Sequence, residues 1–204
     1  MRQNKSPVTA STLLPAVLIA CVGALLLLPA CSVNVKKEAN GEDKQVDIKT
    51  LVGGIHVSNE ADNSDVGLAV YPGARPKPKE HNGDSKSANV NISSFGFSLK
   101  VVALEYESDD APAKIVSFYK DQLQKYGNVL ECRTSSGLDM DANIHTDDSK
   151  NSSNELVCEH TSGPNTELKV GHKDDQHIVA VRPQGKGSSF SLVYVRTHGK
   201  DADI

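Results

Sequence analysis

Apolar residues recur along this chain in two rhythms. Between Ser32 and Ser58 they stand at every second position, as Val33 and Val35, Val46 and Ile48, then Ile55 and Val57, with Gly41 and Gly53-Gly54 between the runs. A period of two bounded by glycines predicts short strands. The run Val66-Gly67-Leu68-Ala69-Val70-Tyr71-Pro72-Gly73-Ala74 predicts a further short strand closed by a Pro-Gly turn. The stretch that follows, Arg75 to Asn89, is rich in proline and charge and reads as an exposed loop. The compact core is expected from Val90 onward. Phe97, Leu99, Val101 and Ala103 alternate with Val102, Leu104 and Tyr106, so this strand is apolar on both faces and belongs in the middle of a sheet.

The rhythm then changes to three and four. Ile115, Phe118 or Tyr119, Leu123 (or Gln122) and Tyr126 make one apolar face, and Lys114, Lys120, Asp121, Gln124 and Lys125 the other. Ser108-Asp109-Asp110-Ala111-Pro112 supplies a capping acid and a proline suited to a first helical turn, and Gly127 a stop. Alternation resumes over Val129 to Arg133, Glu155 to Thr161, Glu167 to His172, Gln176 to Arg182 and Phe190 to Thr197. The short turns Lys173-Asp174-Asp175 and Pro183 to Gly187 join antiparallel neighbours. The expected fold is α+β, an antiparallel meander with one amphipathic helix packed on one face.

Composition narrows the function. At 204 residues the chain favours a single domain, and with 4% aromatic residues and no Trp its core must rest on Val, Leu and Ile. With 22 Lys plus Arg against 26 Asp plus Glu, there is no basic stripe to displace counterions from phosphates, which argues against nucleic acid as a partner.

The start of the chain reads as an export signal. Arg2 and Lys5 precede an uncharged run from Leu13 to Ala30. As a helix that run would reach about 27 Å against a hydrocarbon core of roughly 30 Å. Its end, Leu28-Pro29-Ala30-Cys31-Ser32, resembles the lipobox of bacterial lipoproteins. The resemblance implies cleavage between Ala30 and Cys31, lipid on the Cys31 thiol and acylation of the new amino terminus. Ser32, rather than Asp, after the cysteine is associated in that family with onward transport to the outer membrane. A second match, Leu18-Ile19-Ala20-Cys21, would leave an apolar nonapeptide on the mature chain, so Cys31 is the expected anchor. The competing reading is an uncleaved signal anchor with Cys31 an ordinary thiol.

The resulting division is a signal peptide over 1–30, a polar tether with short β segments over 31–65, and an α+β domain over 66–199. Flexible loops are expected at about 75–89 and 134–154, and a disordered tail at 200–204. Val46 to Val57 also resembles one rung of the bacterial adhesin repeats that stack into β-solenoids, though it occurs about once. Val70-Tyr71-Pro72-Gly73-Ala74 with Phe118 to Leu123 is similar to uncharacterised bacterial envelope proteins that pair a YPGA turn with an FYxxxL helix. That likeness implies no known activity.

Candidate chemistry is sparse. Cys132 and Cys158 flank an insertion rich in Ser, Asp and Asn, and an exported pair of thiols is expected to form a structural disulfide. Asp139, Asp141, Asn143 and Asp147 sketch a calcium loop, but Ile144 stands where the turn needs Gly and Lys150 where a bidentate Glu belongs. Of the 7 histidines, His172 and His177 could face each other across a hairpin with His160 nearby, as weak metal candidates without zinc spacing. Tyr106, Tyr119 and Tyr126 could line a small-molecule site between sheet and helix. No nucleophile elbow or phosphate loop occurs, and no cofactor is expected.

The expected function is a lipoprotein held to the membrane by Cys31, non-enzymatic, serving an unidentified envelope protein partner or envelope upkeep. The alternatives are a periplasmic ligand- or metal-binding domain and a hydrolase assembled across the fold around His160.

Overall fold

The computed structural model of the chain describes residues 31–37, 43–77, 87–135, 154–159 and 162–199. It is α+β and mostly antiparallel sheet. In chain order the elements are β1 (Ser32–Lys37), β2 (Asp43–Thr50), β3 (Gly53–Ser58), α1 (Asn63–Val66), β4 (Arg75–Pro76), β5 (Ser87–Ser94), β6 (Phe97–Ser108) and α2 (Pro112–Leu123). A 3-10 turn (Gln124–Tyr126), β7 (Leu130–Thr134), β8 (Asn165–His172), β9 (Asp175–Gln184) and β10 (Gly187–Gly199) complete it. The strands form one sheet in the order β1-β2-β3-β5-β6-β10-β9-β8-β7, with β4 beside the far end of β6.

α2 begins as the sequence predicts and ends one turn early. Pro112 sits in the first turn, where its missing N–H and fixed φ cost nothing. The acidic pair before it does not cap. Ala111 occupies the N-cap with no side-chain bond, and the Asp110 carboxylate instead accepts from Lys114 Nζ at 2.6 Å and from Tyr71 Oη at 2.9 Å. Ile115, Tyr119 and Leu123, one turn apart, are fully buried against Leu168, Val170, Val179, Val181, Phe190 and Leu192. Burial of side chains of this size contributes about 1.5–3 kcal/mol each, which is what holds a 12-residue helix that would be marginal alone.

Among the described residues two expected strands are absent. Val66 to Ala74 does not pair. Val66 instead closes the single turn of α1, which Asp62 caps by accepting from the Ser64 and Asp65 backbone N–H groups, and the chain then runs irregularly so that Val66 and Leu68 both reach the core. Glu155 to Glu159 likewise makes no ladder. β7 pairs only with β8, through Leu130↔Lys169 to Thr134↔Asn165, and the segment 154–159 is held there by a covalent link described below. The Val129 to Arg133 strand is present, shifted by one residue, and the last three alternating runs are present and extended by a few residues.

The short β segments expected between residues 31 and 65 are β1, β2 and β3, and they continue the main sheet, because β3 pairs along β5 from Gly53↔Ser94 to Ser58↔Asn89. The core therefore extends to residues before Val90. The sheet also exchanges its apolar face between its halves. On β8, β9 and β10 the buried residues Leu168, Val179 and Leu192 share the face that α2 covers. On β1 to β5 that face carries Gln45, Asp47, His56, Asn89 and Asn91. The opposite face carries two apolar rows. One crosses Val35, Val46, Val57, Val90, Val101 and Val195 in successive strands, and the other crosses Val33, Ile48, Ile55, Ile92 and Leu99. Val35, Ile55 and Val57 in these rows remain 41%, 39% and 37% exposed.

Candidate functional site

Cys31 is an exposed free cysteine. Ser32, the next residue, is already the first of β1 and lies opposite Lys49 of β2. No spacer separates the thiol from the sheet. Ala30 and the apolar run before it lie outside the described residues.

Cys132 and Cys158 form a disulfide, with Cα atoms 5.4 Å apart. Cys132 is buried and lies opposite Glu167, on the face of β7 turned away from α2. The bond fastens the segment 154–159 to that edge of the sheet. Its other end is fastened by Asn154, whose carbonyl accepts from the Lys173 N–H at 3.1 Å and whose Nδ2 donates to Asp174 at 2.8 Å. That bond holds the Asp174 carboxyl below its usual range.

The three tyrosines do not converge on a vacancy. Tyr119 is fully buried beneath Phe190, ring centroids 5.5 Å apart, and its oxygen accepts from the Tyr71 N–H at 3.1 Å. Tyr106 stacks on the other side of Phe190 and donates to Asn63 Oδ1 at 2.7 Å. Burial pushes both phenols upward. Tyr126 stands apart from them in the 3-10 turn. It stacks on His177 at 3.9 Å and donates to the Gly67 carbonyl at 2.7 Å.

His177 lies opposite Val170, with Tyr194 on its other side at 4.8 Å, and His172 lies opposite Asp175 at the exposed end of β8. The two imidazoles are therefore not cross-strand partners. Burial lowers the His177 pKa, Lys125 adding to the effect while Asp175 opposes it. His160 lies outside the described residues, as do His81, His145, the acidic run Asp139 to Asp147 and residues 200–204. Among the described residues no three His, Cys, Asp or Glu side chains come together as a metal site.

Searches of protein-family models, of curated proteins and of solved structures find no match to this chain.

A polar constellation that reading along the chain missed is on β2, β3 and β5. Asp47 and His56 are opposite each other, Oδ1 to Nδ1 2.6 Å, and the pair is partly buried. The bond to His56 holds the Asp47 carboxyl below its usual range, and Gln45 donates to the other oxygen at 2.9 Å. With Lys49, Asn91 and Ser93 they line an open groove of about 370 Å³. The pair offers two donors, fewer than a structural or catalytic cation needs. The signal was present but hidden, since a two-residue turn at Leu51-Val52 places Asp47 opposite His56, and neither turn residue is a turn former. A second groove, lined by Arg75, Glu107, Asp109, Gln184 and Lys186, lies at the opposite end of β6. There Arg75 grips Asp109 through two parallel bonds of 3.0 and 2.9 Å and keeps its carboxyl ionised to lower pH.

Proposed function

We propose that this protein is an exported lipoprotein, cut after Ala30 and anchored through lipid on Cys31, that presents its sheet to a protein partner in the cell envelope rather than catalysing a reaction. The observation that carries the reading is Cys31 itself. It ends the lipobox-like Leu28-Pro29-Ala30-Cys31, and its thiol is exposed at the head of β1. A cysteine there can be acylated without disturbing any packed element. The Cys132–Cys158 bond also supports an oxidising, exported setting, where such bonds persist. For His177 a non-catalytic role is supported by its surroundings, because it is buried and packed between the Tyr126 and Tyr194 rings. Two acyl chains suffice for stable attachment, at about 0.8 kcal/mol for each buried methylene. Outer-membrane residence rests on Ser32 alone.

Intact-mass measurement of the membrane-fraction protein tests the reading. A chain beginning at an acylated Cys31 is expected, and Cys31→Ser should abolish the acyl mass. A mature chain that begins at Met1, or an unmodified Cys31, would refute it.

The groove at Asp47 and His56 favours a second reading, the binding of a small polar ligand. Thermal shifts against divalent metals and envelope saccharides test it, and a flat response to all of them removes it.

A further inference from the structure

The register of the sheet brings several exposed apolar side chains to one end, beside Cys31. β1 starts with Ser32 opposite Lys49. β2 then turns through Leu51 and Val52, and Gly53 at the start of β3 lies opposite Ser94 at the end of β5. β5 turns through Phe95 into β6, with Ser94 opposite Phe97. Both tight turns and the first residue of β1 therefore lie at the same end of neighbouring strands. Leu51 is 74%, Val52 59%, Phe95 79% and Val33 65% exposed. The second tip keeps the usual turn glycine, Gly96 at φ +76°, but Phe95 before it and Leu51-Val52 at the first tip are large apolar residues, an unusual choice for a surface facing only water.

Charge is distributed to match. The stretches that build this end, Lys49 to Gly54 and Ser93 to Leu99, hold one Lys and no acid. The other end of β6 carries Glu105 and Glu107 and leads directly into Asp109 and Asp110. The two tips thus bring no acid against an anionic lipid surface; the acids at this end of the sheet, Asp174 and Asp175, lie beyond β10 in the β8–β9 turn.

We propose that this end of the sheet rests in the interfacial layer of the bilayer, with the Leu51-Val52 and Phe95 tips inserted among the lipid headgroups. This rests on acylation of Cys31, because an acylated Cys31 places the first residue of β1 at the membrane surface with no spacer to lift the sheet away. Large apolar side chains at the headgroup level then bury surface at no further cost in chain entropy. The lipid and the tips act together, the first supplying attachment and the second orientation.

The absence of Trp from the chain makes the test direct. The full-length Phe95→Trp variant, recovered from membranes and reconstituted into vesicles of phosphatidylethanolamine and phosphatidylglycerol, carries a single indole at the tip. Brominated lipids should quench it and its emission should shift to the blue. The Lys186→Trp variant, at an exposed position in the β9–β10 turn at the opposite end of the sheet, should show neither effect. If Phe95→Trp is quenched no more than Lys186→Trp while mass measurement of the same sample finds lipid on Cys31, end-on contact is overturned and the anchor stands. An unmodified Cys31 in that sample overturns the anchor, and this inference with it.

Discussion

Reduction of the Cys132–Cys158 bond is the perturbation whose size can be worked most directly from the structure. The two cysteines are 26 positions apart. For a loop of that size the chain-entropy relation gives about 3.5 kcal/mol of stabilisation at 25 °C, all of it through the unfolded state. The folded state should lose little on reduction. Cys132 is buried at 4% exposure and a free thiol there behaves as a small apolar residue. β7 is also held by its pairing with β8, and Asn154 makes its own two contacts to the β8–β9 turn. Urea unfolding with and without reductant, and of a Cys132→Ala/Cys158→Ala double variant, measures the difference. Its midpoint should fall, and the slope with urea should rise because the released chain exposes more surface. A loss below about 1 kcal/mol would refute the entropic account, and loss of β structure in the absence of urea would show that the bond instead holds the β7 edge in place.

Three further perturbations test the packing. Gly67→Ala should cost about 1–2 kcal/mol in urea unfolding, because Gly67 has φ of +72° and an added Cβ would come within 2.6 Å of Tyr126 Oη, the group that donates to its own carbonyl. Wild-type stability in that variant would contradict the turn geometry. Tyr119→Phe should cost about 1–3 kcal/mol by removing the acceptor of the Tyr71 N–H, with near-neutral stability the contrary result. His177 has a folded pKa below its ordinary value, so at slightly acidic pH the unfolded chain takes up a proton that the folded chain refuses. Stability should therefore decline as pH falls through about 6.5, the unfolded value, and level off below the folded pKa. His177→Phe, which retains a ring between Tyr126 and Tyr194, should flatten that decline in urea midpoints, and identical slopes in both proteins would count against it.

The helix and the final strands were legible because each has a long run in one period and short connections, so neighbours in sequence became neighbours in space. The region Val66 to Ala74 was not, since a run that short fits a strand, a buried helical turn or an irregular core segment equally well. What decided it was local: Asp62 supplies a cap, Gly67 takes the left-handed conformation, and α1 stops after one turn. The acids before α2 illustrate the opposite failure. They matched a cap by spacing, but Arg75 and Tyr71, distant in sequence, hold Asp109 and Asp110 elsewhere. Of the candidate site, the disulfide pair could be read directly, as it follows from residue type and context. The Asp47–His56 pair needed the register of a hairpin whose turn gives no sequence signal.

Alternation alone also could not reveal which face of each strand is buried, and here β6 carries the answer. Most of the outer strands of this sheet have one apolar set, which turns toward α2 on β8 and away from it on β1, β2, β3 and β5. A sheet cannot exchange its buried face between adjacent strands without a strand that serves both. β6 does so with Val102, Leu104 and Tyr106 buried on the helix side and Leu99, Val101 and Ala103 half-buried on the other. Its apolar content on both faces, read in the sequence as a sign of a central strand, therefore marks the joint between two apolar layers. That joint explains why residues 32–58 belong to the sheet rather than trailing from it, since their valines and isoleucines continue rows that reach Leu99 and Val101. It also leaves the β1 end of those rows the most exposed, Val33 at 65% and Val35 at 41%. An extended apolar surface of this kind is uncommon on a monomer in water, and it is found on the strand that follows Cys31 directly. The most exposed apolar strand is thus the one that a lipid on Cys31 would bring to the membrane.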